Sequence, residues 1–304
     1  MEHDNHAYSD NTYDALDRIT RTTTPGDAWH SAGKSVTKEH ITNGASDVKL
    51  YTAPMDGENH LVKSGYYAKC TLSGEKTTDE DGHTLTIFTD KLGRKVLERR
   101  ASDEGNNDTY FVYNDLGQLR FVLSPEYQND RHKAIFAYEY RYDNRGNVVK
   151  KILPQCEYIQ YWYDTTDRLI YMQDGRMRTK GLYRFYLYDN LSRIVVEGTC
   201  SSCNRGGSVT HTKFNASNAG FLNTGYTFDH NLNLGNPKLE VVNYYDDYSF
   251  LNLPLFKNDK ALKKATNTSN PTCAKGYVTG TITATNNGDL LLTKVSHPQK
   301  VDLK

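Results

Sequence analysis

The chain has 304 residues with 37 basic and 37 acidic side chains, only 37% hydrophobic residues and a mean hydropathy of −0.74. Balanced charge leaves no electrostatic footprint for nucleic acid or an anionic membrane, and no run approaches the ~18 apolar residues of a transmembrane helix. Tyrosine occurs 23 times, against 10 phenylalanines and 2 tryptophans, which suits sheets with one buried and one wet face better than a thick globular core.

In chain order, residues 1–12 read as a flexible polar tail, with His3 and His6 solvated rather than metal-binding. Met1 to Asn11 lacks the apolar stretch of a signal peptide, so no export signal is encoded here. Tyr13 to Thr24 predicts a first hairpin whose exit is marked by Pro25-Gly26. Short strands follow at Val36–Ile41 and Val48–Thr52, with turn signals at Asn43-Gly44 and Asp56-Gly57. Helical periodicity is absent. From Thr77 to Thr199 the spacing predicts an antiparallel meander of about ten strands of ordinary length. Its turns fall near 79–82, 90–93, 103–108, 114–117, 124–133, 143–146, 153–156, 164–167, 174–181 and 189–192. Phe136, Tyr138, Tyr140 and Tyr142 are spaced by two and form an aromatic row on one face.

After Gly198 the pattern loosens through a loop at Ser201–Ser208, and strands return at Val209–Phe214 and Lys238–Tyr245. Leu255–Ala265 reads as a short helix inside a linker over 252–275. A terminal hairpin within 276–304, Tyr277–Thr285 and Leu290–Val295, turns at Asn286–Asp289. The repeat block is thus 13–251, most regular over 77–199. Past Lys304 a repeat array is expected to continue or be capped, and the edge at 277–295 is expected to be unprotected.

One short pattern organises the block. Tyr113-Asn114…Gly117, Tyr142-Asp143…Gly146, Tyr163-Asp164…Asp167-Arg168 and Tyr188-Asp189…Ser192-Arg193 recur at steps of 29, 21 and 25 residues. Tyr13-Asp14…Asp17-Arg18 and Thr89-Asp90…Gly93-Arg94 are upstream relatives. An Asp or Asn opening a type I turn accepts hydrogen bonds from backbone N–H groups just ahead, and a Gly three residues on supplies the left-handed conformation that returns the chain to antiparallel pairing. Asp17 and Asp167 tolerate that conformation; Ser192 fits it least well. Self-similarity at this period signals a repeat architecture.

Tyr-Asp hairpins at this spacing resemble the YD repeats of bacterial Rhs proteins and the related teneurins, over most of residues 13–251. The phrases at Tyr13–Pro25, Asp79–Arg100 and Val241–Leu251 are similar to the same family. The resemblance implies an all-β spiral sheet forming part of a hollow shell, which in Rhs proteins encloses a C-terminal toxin and in teneurins belongs to an adhesion ectodomain. It also implies a secreted or cell-surface location, with the export signal outside this chain. The family's shell-closing core and toxin region are not found, so the chain reads as an incomplete member. Its implied partners are the remainder of the shell or an encapsulated toxin domain.

The recurrent Asp and Arg are read as turn chemistry rather than catalysis, because an active site needs one asymmetric constellation and not six copies. The Arg is expected to cover the neighbouring hairpin. There is no GxSxG elbow, HExxH or phosphate loop, and no DxDxDG calcium loop; Asp246-Asp247 is too short a signal. Cys200 and Cys203 form the only CxxC among five cysteines, without a second pair to complete a zinc site. No cofactor or metal is expected, and no enzyme. Trp29 and Trp162 are the candidates for stacking on a carbohydrate, the alternative to a purely structural role.

Overall fold

The computed structural model describes residues 6–54, 61–103, 105–203, 211–228, 234–256, 274–285 and 290–295. The fold is all-β and antiparallel, built from strands β1 (Asp10–Tyr13), β2 (Ile19–Thr23), β3 (Val36–Thr42), β4 (Lys49–Thr52), β5 (Val62–Tyr66), β6 (Ser73–Thr78) and β7 (Thr84–Thr89). Next come β8 (Lys95–Ser102), β9 (Gly105–Tyr113), β10 (Leu119–Leu123), β11 (Ala137–Tyr142), β12 (Val148–Ile152), β13 (Ile159–Tyr163) and β14 (Leu169–Gln173). The last are β15 (Tyr183–Tyr188), β16 (Ile194–Cys200), β17 (Thr212–Phe214), β18 (Tyr226–Phe228), β19 (Lys238–Asp246), β20 (Ala274–Ala284) and β21 (Leu290–Val295). Two compact units divide the chain, residues 1–141 with 151–156 and residues 142–150 with 157–304.

In the first unit the strands pair in the order β1-β2-β3-β6-β7-β8-β9-β10-β11, each antiparallel to the next. Alternation buries one face: Thr86 and Phe88 on β7, Tyr110 and Val112 on β9, Phe121 and Leu123 on β10. The segment between β3 and β6 supplies the cover. Its hairpin β4–β5 contributes Val48, Tyr51 and Ala53 to one cluster with Phe88, Leu97, Tyr110 and Phe121. Burying a side chain such as Val48, Leu97 or Phe88 contributes about 1.5–3 kcal/mol. Asn43, read from sequence as a turn former, is a buried clasp at the base of this insertion. Its side-chain oxygen accepts from the Thr71 and Leu72 N–H groups at 3.0 and 2.8 Å, and its amide donates to the Ala68 carbonyl at 2.8 Å.

The second unit repeats the plan, with strand order β13-β14-β15-β16-β19-β20-β21. The insertion between β16 and β19 carries the hairpin β17–β18. Tyr226 from that hairpin and Phe250, Leu253 and Phe256 after β19 cover Phe185, Val196, Val242 and Tyr244. The rings stack in sequence: Tyr226 on Tyr244 at 5.6 Å, and Tyr244 on Phe250 at 4.6 Å. The sparse hydrophobic composition therefore suffices because each sheet buries one face under its own insertion.

Several expectations are corrected. Strand β1 begins at Asp10, inside the segment read as a tail, and His6 is not merely solvated. It pairs with Asp27 and stacks on His30 at 4.2 Å. His3 lies outside the described residues. Short helices interrupt the meander: α1 (Asp27–Ser31), α2 (Lys133–Phe136) and α3 (Gly175–Thr179), the last capped by Asp174, whose carboxylate accepts from the Met177 N–H at 2.7 Å. Pieces this short leave no periodicity to read. Phe136 belongs to α2, so it leaves the aromatic row. On β11 the buried positions are Ala137 and Glu139, with Tyr138 on the opposite, exposed face. Glu139 is tolerated there because Arg141 and Lys133 lie 2.9 and 3.5 Å away.

The turn expected at 103–108 is tighter, since β9 already starts at Gly105 with φ 125°. Strand β20 starts at Ala274, inside the expected linker, and pairs with β19, so the terminal hairpin extends the sheet of the second unit. Leu253 and Phe256 are buried rather than linker-like. The rest of the helix expected at Leu255–Ala265, the Asp56-Gly57 turn and the 286–289 turn lie outside the described residues.

Candidate functional site

Among the described residues the repeat motif folds into one local structure seven times. At Asp90, one carboxylate oxygen accepts from the Leu92 and Arg94 N–H groups at 2.9 and 3.0 Å, and the other accepts from Arg94 Nε at 2.8 Å. The Gly93 N–H closes the turn on the Asp90 carbonyl at 2.9 Å. The same arrangement recurs at Asp14 with Arg18, Asp164 with Arg168 and Asp189 with Arg193. At Asn114, Gln118 replaces the Arg; at Asp143 it is Asn147, and at Asp79 it is His83. The fourth turn residue is left-handed throughout, with φ of 74° at Gly93, 77° at Gly117 and 89° at Gly146. Asp17, Asp167 and Ser192 reach 57°, 63° and 60°. Ser192, the poorest fit by residue type, adopts the same turn because Asp189 and Arg193 fix it from both sides.

Electrostatics follow from these contacts. The Arg18 side chain, hydrogen-bonded to Asp14, holds that carboxyl down at about 2. Asp164 is fully buried; burial pushes its pKa up, but hydrogen bonds from the Arg168 backbone, the Arg168 side chain and Thr166 outweigh this and leave it lowered.

What the sequence did not show is how one hairpin joins the next. The Arg does reach toward the neighbouring hairpin, as expected, but it does so by lying against that hairpin's tyrosine. Arg94 sits 4.8 Å over the Tyr113 ring, Arg168 5.0 Å over Tyr188, and Arg193 4.2 Å over Tyr245. Each tyrosine hydroxyl then donates to the carbonyl of the residue after that Arg: Tyr113 to Lys95 at 2.9 Å, Tyr188 to Leu169 at 2.7 Å and Tyr245 to Ile194 at 3.0 Å. Tyr163 makes the equivalent bond to Val148 at 3.1 Å. Tyr and Arg are thus the two halves of a lock between successive repeats. The signal in the sequence was their co-occurrence. Tyr245-Asp246, inside the family-like phrase Val241–Leu251, was not counted among the turn motifs, and its Asp caps no hairpin turn. Instead it accepts two bonds from Arg193, at 3.0 and 2.7 Å.

Where the array ends on Asp246, the second unit holds a cavity of about 240 Å³ lined by Asp189, Arg193, Thr212, Phe214, Tyr226 and Asp246, among others. Its polar groups are engaged internally. Arg193 forks between Asp189 and Asp246, the Tyr226 hydroxyl donates to the Asn243 carbonyl at 2.7 Å, and Thr212 donates to the Tyr188 carbonyl at 3.1 Å. Burial raises the Tyr226 and Tyr244 hydroxyls, and the hydrogen bond from Arg193 holds Asp246 at about 2. Trp29 is 42% exposed on α1, whereas Trp162 packs against the second unit's core with its ring 5.8 Å from Tyr183. Cys200 is buried and its thiol is pushed up to about 11 by that burial. Among the described residues no group of His, Cys, Asp and Glu has the arrangement of a metal site, and no helix is long and apolar enough to cross a membrane.

No family model and no curated protein matches the chain. Among solved structures it is similar to a chain of the TcdB2–TccC3–Cdc42 crystal structure, at 10% identity and a TM-score of 0.44, over 94% of this chain and 14% of that one. TcdB2–TccC3 without its hypervariable C-terminal region gives 12% identity and a TM-score of 0.42, over 92% and 12%. The Photorhabdus luminescens Tc holotoxin pore gives 10% and 0.41, over 90% and 12%. The chain therefore spans between 12% and 14% of the length of these solved chains.

Proposed function

We propose that this chain is a structural segment of a secreted or cell-surface Rhs/YD-repeat shell, of the kind that encapsulates a C-terminal polymorphic toxin in interbacterial competition. The observation that carries the reading is the lock between hairpins, in which Arg94, Arg168 and Arg193 lie against the next repeat's tyrosine and that tyrosine closes on the backbone beyond the Arg. This is machinery for propagating a wall, and it accounts for the recurrent polar residues without chemistry. The segment is then not an enzyme. Its partners are the remaining shell and the enclosed domain.

Two experiments test this. Expressed in bacterial cytoplasm and, separately, in the periplasm, the chain should leave growth unchanged; growth arrest by soluble chain in either compartment overturns the inert reading. In the intact polypeptide that carries this segment, the region following the repeats should resist protease until the shell unfolds. Cleavage as fast as in the isolated region overturns encapsulation. A second reading, glycan-binding adhesion on the same scaffold, is favoured only by the exposure of Trp29. A glycan-array signal lost in Trp29→Ala would support it.

A further inference from the structure

In each complete lock the Arg and the Tyr face one another across two paired strands. Leu97 on β8 faces Tyr110 on β9, and the same register continued puts Arg94 opposite Tyr113. Tyr171 faces Phe185, which puts Arg168 opposite Tyr188, and Val196 faces Val242, which puts Arg193 opposite Tyr245. In all three, the Arg sits on the strand that precedes the tyrosine's own strand in the sheet. Covered in this way, Tyr188 is 8% exposed and Tyr113 and Tyr245 are half-buried.

Tyr13 holds the same place at the end of β1, and its turn is built like the rest. Asp14 accepts from the Leu16 and Arg18 N–H groups at 2.8 and 3.1 Å and from Arg18 Nε at 2.7 Å. What Tyr13 lacks is the strand before it. Among the described residues β1 pairs with β2 alone, and all four of its residues are exposed, Tyr13 at 58%. Neither the Tyr13 ring nor its hydroxyl has a partner among the described residues. One half of a lock therefore stands open beside the unpaired backbone of an edge strand, where an added strand can dock. The rest of β1 indicates the polarity of that strand: Asn11 and Thr12 are polar and exposed, and Asp10 presents an exposed carboxylate three residues before Tyr13.

We propose that the free edge of β1 is a docking surface for a polar β-hairpin whose turn reads Asp-x-x-Gly-Arg or Asp-x-x-Asp-Arg. The strand leaving that turn pairs antiparallel with β1, and its Arg lies over the Tyr13 ring. The Tyr13 hydroxyl then donates to the carbonyl one residue beyond the Arg, as the hydroxyls of Tyr113, Tyr188 and Tyr245 do. A cation three residues after the Arg falls opposite Asp10 in this register. On the shell reading proposed above, on which this partner rests for its source, the hairpin belongs to the remaining shell.

The test is titration of the whole chain into a labelled, backbone-cyclised peptide of its own first hairpin, Asp10–Thr23, followed by fluorescence anisotropy. Asp10 and Thr23 face one another, so the peptide's ends can be joined. The peptide carries Arg18 after its turn and Arg21 three residues later. A second copy of the chain cannot offer the same strand, because its β2 already pairs with β3. Saturable binding is expected, weakened about fivefold or more by Arg18→Gln in the peptide and about threefold or more by Tyr13→Phe in the chain. Without peptide, Tyr13→Phe should leave the thermal midpoint of the chain unchanged, whereas Tyr113→Phe lowers it. No saturable binding, binding indifferent to both substitutions, or a midpoint lowered by Tyr13→Phe overturns the proposal. So does a dimer in sedimentation that Tyr13→Ala abolishes, since a second copy then holds the edge. None of these outcomes touches the shell reading, which falls instead on growth arrest or on rapid cleavage of the enclosed region.

Discussion

The Tyr188 hydroxyl donates to the Leu169 carbonyl at 2.7 Å while the Tyr188 ring lies 5.0 Å from the Arg168 guanidinium. Strands β14 and β15 already exchange backbone bonds between Tyr171, Met172, Arg184 and Phe185. The Tyr188 contact adds a second connection at the turn end of that pair. It ties side-chain chemistry written in one repeat to the backbone of the one before.

Tyr188→Phe should therefore destabilise the chain by about 1–2 kcal/mol, since the ring stays over Arg168 and only the hydroxyl bond to Leu169 is lost. The urea midpoint measures it. A midpoint unchanged in both Tyr188→Phe and Tyr113→Phe would show that the hydroxyls add nothing to cohesion between repeats.

The same ion pair should carry different weight in different copies. Asp164 is fully buried and Arg168 nearly so, whereas the Arg18 side chain is 45% exposed beside Asp14. Arg168→Ala leaves a buried carboxylate without its cation and should cost about 3–5 kcal/mol. Arg18→Ala should cost a small fraction of that, because water takes the place of the guanidinium. Equal shifts in thermal midpoint for the two variants would contradict the burial argument.

The seven turns were legible in the sequence because turn chemistry is local. Asp90 meets Leu92, Gly93 and Arg94 within four residues, and only a few residue types satisfy those positions. The strands followed from the turns. The insertions were not legible as covers, since nothing local says that Val48 and Tyr51 will lie against Phe88 and Tyr110. The lock was half legible: the Arg was expected to reach a neighbour, but its stacking on Tyr113 depends on strand pairing. Trp29 and Trp162 were grouped by residue type alone, and the structure separates an exposed ring from a packed one.

Glycine substitutions should separate backbone strain from steric exclusion. Gly93 holds φ 74° with open space where a Cβ would project, so Gly93→Val should cost about 1–2 kcal/mol and Gly93→Asn much less. Gly146, at φ 89°, should respond to Val in the same way, and Asp143→Ala, which removes turn hydrogen bonds and a loose, half-exposed ion pair with Arg145 at 3.9 Å, should cost less. Gly198 differs: a Cβ there would lie 2.2 Å from the Lys238 carbonyl and 2.9 Å from the Phe185 ring. Even Gly198→Ala must then push β16 from β19 and should cost more than Gly93→Val. Thermal midpoints in the reverse order would refute this assignment.

The Arg193–Asp246 fork should make part of the second unit's stability pH-dependent. The hydrogen bond from Arg193 is the main cause that lowers Asp246 to about 2 from an ordinary 3.8. A carboxyl whose folded pKa lies below its unfolded value stabilises the fold fully above the unfolded value. That contribution is lost as pH falls through the folded one. Asp246→Asn removes it at every pH, and also weakens the bond that Asp246 accepts from the Gly276 N–H at 2.7 Å on β20. The parent should therefore exceed Asp246→Asn in urea midpoint at pH 7, and the gap should narrow between about pH 4 and pH 2 as the parent's own carboxyl is protonated. Asp14, held at about 2 by Arg18, titrates over the same range in the first unit, so each pH needs the variant as its control. A gap of constant size from pH 7 to pH 2 would mean that Asp246 acts by shape rather than charge.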